Sequence, residues 1–141
     1  MRDDFDFTDL KEADLRVMID GQSMMPGLPS GTWVWVKTLK NRDTTNIRFG
    51  DIIVFYMGSY DLVCHRVVYH NSQWIWQSGD YYGNYSKVDR GCIIGKVYAF
   101  ETDIGEKKKI KNCGRYIGLL RCYVKIIKRH VKTKYARKNA K

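Results

Sequence analysis

From Thr32 onward the chain is written in short runs of β-branched and aromatic residues, each closed by turn formers, and this rhythm constrains the fold more than any other feature. The runs are TWVWVK, DIIVFY, LVCHRVVY, QWIWQ and CIIGKVYAF, separated by RFGD, GSYD, HNS and SGDYYGN. Five strand candidates with tight punctuation predict a mainly β, coiled antiparallel structure. Trp33 and Trp35 alternate against Val34 and Val36, so one face of that strand is expected to be core. At 141 residues the chain suits one body with a real hydrophobic interior. Ahead of it, residues 5–20 read equally as a short helix or an extended lead-in, and GQSMMPGLPSG as a loop.

Residues 115–131 change period. Ile117, Leu120, Val124, Ile127 and Val131 recur at steps of three and four, widened by Leu119, Tyr123 and Ile126, with Arg121, Lys125, Lys128 and Lys132 opposite. The spacing predicts an amphipathic basic helix. It suits either a helix docked on the β body with a solvated basic face or an interfacial membrane anchor. The expected organisation is a lead-in over 1–20, a β domain over 21–106 and a basic helix and tail over 107–141.

Charge follows that division. The formal net charge is +10, but residues 1–106 carry 11 Lys/Arg against 15 Asp/Glu, while residues 107–141 carry 14 Lys/Arg and no acid. A mildly acidic body thus ends in a segment that seeks anions, either phospholipid headgroups or nucleic acid. A nucleic-acid module is the weaker reading, because the aromatic residues sit in the acidic body and no stacking platform with a cationic rim forms. Cys64, Cys92, Cys113 and Cys122 include no C-x-x-C pair, and with three histidines (His65, His70, His130) neither a zinc site nor a disulfide framework is expected. Reduced thiols and the lack of a span-length apolar run or cationic leader point to the cytoplasm or the inner membrane face.

Three pieces in order carry the chemistry: GQSMMP at 21–26, GDIIVF followed by CHRVV at 50–55 and 64–68, and SGD with a later Asp and IIGKV over 78–97. This ordered set resembles the S24/S26 serine peptidases, the clan of type I signal peptidases and self-cleaving repressors, over roughly residues 20–100. The resemblance implies a coiled all-β fold, Ser23 of Ser23-Met24-Met25-Pro26 as nucleophile, and a base just before Arg66-Val67. That position is Lys in most bacterial members and His65 here, as in the Ser–His subclass. A histidine needs no large pKa shift to act as base near neutrality, whereas a lysine must be desolvated. Cys64 is a poor rival nucleophile, since neighbours on a strand point to opposite faces.

An imidazole base gains from a carboxylate that fixes its tautomer. Asp80 matches the family's Gly-Asp and Asp89 a second acidic position; Asp89 is slightly preferred, with Asp80 structural at the turn and Asp51 a turn residue. The backbone N–H of Ser23 is the expected oxyanion donor. Gly21 stands where some relatives add a hydroxyl, and Met24 and Pro26 shape either the substrate groove or the core. No cofactor is implied. The implied activity is endopeptidase cleavage after small residues, here of a leader on one peptide or protein. A self-cleaving repressor fits poorly, since about twenty residues before Ser23 leave no room for a DNA-binding domain and a cleavage site.

Overall fold

The computed structural model describes residues 14–58 and 61–140. The strands are β1 (Asp14–Met18), β2 (Trp33–Thr38), β3 (Ile52–Met57), β4 (Asp61–His70), β5 (Trp74–Ser78), β6 (Tyr85–Asp89), β7 (Ile93–Glu101) and β8 (Lys107–Lys109), followed by one helix, α1 (Asn112–Asn139). They form one antiparallel sheet in the order β1-β2-β7-β3-β4-β5-β6, with β8 added to β7.

The five apolar runs became β2, β3, β4, β5 and β7, as expected from their composition. Register irregularities at Trp35/Val36, Val54/Phe55 and Val67/Tyr69 bend the sheet so that it coils on itself. Both faces of β3 are therefore buried. Ile52 and Val54 join Ile19, Met24, Leu28, Val34 and Val36 in one core, while Ile53 and Phe55 join Val67, Ile75, Val88 and Ile93 in another. Each of these side chains contributes about 1.5–3 kcal/mol on burial. At Gly95 the crossing is so tight that a Cβ would sit 2.4 Å from the Lys37 carbonyl.

The open reading of residues 5–20 resolves in part as β1, paired with β2 from Asp14↔Lys37 to Met18↔Trp33; residues 5–13 lie outside the described chain. Helix α1 runs beyond the expected 115–131 at both ends. It rests on the body through its small and polar edge, at points where glycine lets backbones meet. A Cβ on Gly118 would fall 2.2 Å from the Arg66 guanidinium, and one on Gly50 2.7 Å from Arg115. Gly83 combines φ +67° with a 2.7 Å approach to the Lys125 backbone, so only glycine fits that turn. Cys122 is buried against the carbonyls of Ser78 and Gly79.

Arg66 ties these parts together. Its Nε and Nη2 donate to the two Asp80 carboxylate oxygens at 2.8 and 2.7 Å, and its Nη1 donates to the Gly50 carbonyl at 2.8 Å. Both side chains of the ion pair are buried. Removing one member of such a pair strands the other charge. Arg66→Ala is expected to lower unfolding free energy by about 3–5 kcal/mol in urea titrations. The double variant Arg66→Met/Asp80→Leu is expected to lie closer to wild type, because neither charge remains.

Candidate active site

The nucleophile candidate sits in the turn-rich segment between β1 and β2. Its ends are closed by the bonds Ile19 N–H to Thr32 O (2.8 Å) and Gly31 N–H to Ile19 O (2.7 Å). Met24 is 1% exposed and anchors the segment from inside, so its place is the core and not a substrate groove. Pro26, after a cis peptide bond, and Gly21, whose N–H donates to Ser30 Oγ at 3.2 Å, are both exposed. Ser23 is left half-buried at the surface of the sheet, and its carbonyl accepts from Tyr81 N–H at 3.0 Å. That bond fastens the serine segment to the turn after β5.

His65 arrives from β4. Val63 and Val67, two residues away on either side, belong to the second core, whereas Cys64 packs against the first, so the faces divide as strand alternation requires. Ser23 and His65 both come up against Gly79. A Cβ built on Gly79 would lie 3.0 Å from Ser23 Cβ, 3.3 Å from His65 Nε2 and 2.6 Å from the Ser23 carbonyl oxygen. The absence of a side chain at Gly79 is what allows the other two to approach.

The far nitrogen of the imidazole is also held, though not by either expected acid. His65 Nδ1 bonds to Gln77 Oε1 at 2.6 Å, and Gln77 Nε2 donates to Ser86 Oγ at 2.6 Å. With the amide oxygen on Nδ1, the imidazole carries its proton there and leaves Nε2, on the Gly79 side, as an acceptor. Asp80 is fully engaged by Arg66 on the other face of β4. Asp89 accepts from Gly91 N–H at 2.7 Å and caps the short turn Arg90–Cys92. The expectation that Asp80 or Asp89 fixes the His65 tautomer through a hydrogen bond is therefore corrected: that contact belongs to Gln77. Asp51 closes a turn onto Arg48 N–H and pairs with Lys96 and Arg115, holding the helix to the body.

Gln77 carried no motif in the sequence, but hairpin register held a signal for it. Arg66 stands opposite Ser78 and Val67 opposite Gln77, so one further step puts Gly79 opposite His65 and Gln77 on its diagonal.

Electrostatics favour a neutral His65 ring. Burial lowers the His65 pKa from its ordinary value, and the Gln77 hydrogen bond and the Asp80 charge offset this only in part. The thiols behave in the opposite sense. Burial pushes Cys64 up to about 12 and Cys122 up to about 11, so neither supplies a thiolate near neutrality. All four cysteines are free, and among the described residues no cluster of His, Cys, Asp or Glu suits a metal ion. His70 packs on the Phe49 ring at 4.7 Å, and His130 is exposed on α1.

By NMR titration His65 is expected to protonate below about 6.5. Gln77→Glu, which puts a carboxylate on Nδ1, is expected to raise that midpoint by stabilising imidazolium. An unchanged midpoint would mean that Gln77 does not control this ring.

The chain matches no curated protein and no solved structure. Its residues 3–98, more than half of its length and the whole stretch from before β1 into β7, match the family described as Peptidase S24-like. With the antiparallel β body that accompanies it, that match places the chain in the Peptidase S24-like family.

Proposed function

We propose that this chain is a serine endopeptidase in which Ser23 is the nucleophile and His65 the general base. The approach of both Ser23 Cβ and His65 Nε2 to Gly79, with Nδ1 already committed to Gln77, is the observation that carries the proposal. A serine hydroxyl becomes nucleophilic when an adjacent base accepts its proton as it attacks. In this reading Ser23 Oγ adds to the scissile carbonyl and His65 Nε2 takes the hydroxyl proton. The Ser23 backbone N–H donates to the resulting oxyanion. Collapse breaks the C–N bond, and Nε2 returns the proton to the departing amine. Water, deprotonated by His65, then hydrolyses the acyl-serine and regenerates the site.

Gln77 replaces the usual carboxylate as the group that orients the ring. An amide oxygen fixes the tautomer but offsets imidazolium charge less than a carboxylate does. The lowered pKa of His65 is consistent with that substitution, since burial dominates over the hydrogen bond. The thiols at Cys64 and Cys122 take no part. The substrate is a peptide segment with small side chains before the cut, of the leader or signal type, cleaved from a peptide or protein precursor.

N-terminal mass spectrometry on a peptide library treated with wild type and with Ser23→Ala tests the reading. New termini after small residues are expected with wild type alone. The base must be neutral to work, so kcat/KM should fall on acidification through the His65 pKa, with the acid limb below about 6.5. Identical terminus profiles for the two proteins across several pH values would reject the assignment.

A further inference from the structure

Among the described residues the apolar stripe of α1 is left largely uncovered by the β body, Ile117 alone edging a cavity with Leu28, Ile52 and Phe100. Ile117, Leu120, Val124, Ile127 and Val131 are 51%, 65%, 41%, 61% and 48% exposed, values unusual for five aliphatic residues in register. At about 100° per residue they fall within a sector about 80° wide. Arg115, Gly118 and Cys122, which meet the body, lie on the opposite side of the helix. Of the two readings left open for this helix, docking on the β body is met through its other edge, and among the described residues the stripe itself is turned to solvent. From Ile127 to Ala140 every residue is exposed.

We propose that this face of α1 is a docking surface for an anionic lipid bilayer, a role separate from the peptidase chemistry. Charge chooses among the possible occupants. Arg121, Lys125, Lys128 and Lys132 form a row along one flank of the stripe, and residues 107–141 contain 14 basic residues and no acid. A second copy of the helix would bring like charges together with nothing to neutralise them. Nucleic acid would satisfy the basic row but leave the five aliphatic side chains in water. A bilayer surface of acidic headgroups over acyl chains meets both demands along one helix face.

The helix is built to lie on the bilayer. Its 28 residues extend about 42 Å, yet among the described residues no helix is long and apolar enough to cross a membrane. Tyr116 and Tyr135 border the stripe, a position that suits rings with an apolar body and a polar tip, whereas the Tyr123 hydroxyl donates to the Val68 carbonyl of the body. Because Cys122 touches the Gly79 carbonyl, the Ser23–His65 pair lies behind the helix as viewed from the bilayer. Binding would hold it roughly one helix diameter, about 10 Å, above the headgroups.

Flotation of the full chain with phosphatidylcholine vesicles, with and without phosphatidylglycerol, tests the proposal. Binding is expected to be at least a hundredfold tighter when phosphatidylglycerol is present, and to weaken with salt. Lys128→Gln/Lys132→Gln should weaken it about thirtyfold, at about 1 kcal/mol for each cation near the surface. Leu120→Ser/Ile127→Ser, which changes only exposed side chains, should weaken it at least tenfold without loss of folded structure. Ser23→Ala should float as wild type, so this result stands or falls apart from the peptidase reading. Equal flotation with both vesicle types, or full binding by the Leu120→Ser/Ile127→Ser protein, would overturn the proposal. So would a concentration-dependent dimer lost in that variant while vesicles remain unbound.

Discussion

The buried pair between Arg66 and Asp80 is the contact on which the arrangement of this molecule depends. One guanidinium fixes the turn after β5 through Asp80, the turn before β3 through the Gly50 carbonyl, and the start of the helix through the flat surface it presents to Gly118. The turn after β5 contains Gly79, which both Ser23 and His65 approach, and Tyr81, whose N–H holds the serine segment. An ion pair of this kind adds little net stability over a well-packed apolar substitute, because desolvating two charges is costly. What it does add is geometry: the bidentate fork admits one orientation of the Asp80 turn.

That geometry explains a division of labour on β4. His65 and Arg66 are sequence neighbours and so face opposite sides of the strand. Arg66 and Asp80 secure the support on one side, while His65, Gln77 and Ser86 form the hydrogen-bonded line on the other. An acid that was expected to serve the base serves the scaffold instead, and a neutral amide holds the ring. The His65 ring then titrates in a buried setting without a bonded carboxylate, consistent with its depressed pKa. A lysine at the same position would have to shed its charge through a much larger shift.

Most of the β body was legible because its strands are apolar, alternating and cleanly punctuated. β6 and β8 were not. Tyr85–Asp89 carries one buried residue, Val88, and Lys107–Lys109 carries none, so neither shows the pattern that burial imposes. Ser23 and His65 were singled out through a family likeness, while their common approach to Gly79 appears only once β4 and β5 are in register. Gln77 escaped notice because an amide at a strand end has no distinctive spacing. The helix was visible in its period, but periodicity cannot say which side faces the body. Gly118 and Cys122, on the side away from the stripe, are the seat of the helix.

Activation of Ser23 by His65 is the central claim, and covalent capture addresses it without knowledge of a substrate. A fluorophosphonate reacts with an activated serine by losing fluoride and leaving a phosphonyl group on Oγ. Mass spectrometry of peptides from the treated protein near pH 8 should find that group on Ser23 in wild type, and on no serine in His65→Ala. Phosphonylation of Ser23 at equal rates in the two proteins, or its absence from wild type, would contradict a nucleophile activated by this histidine.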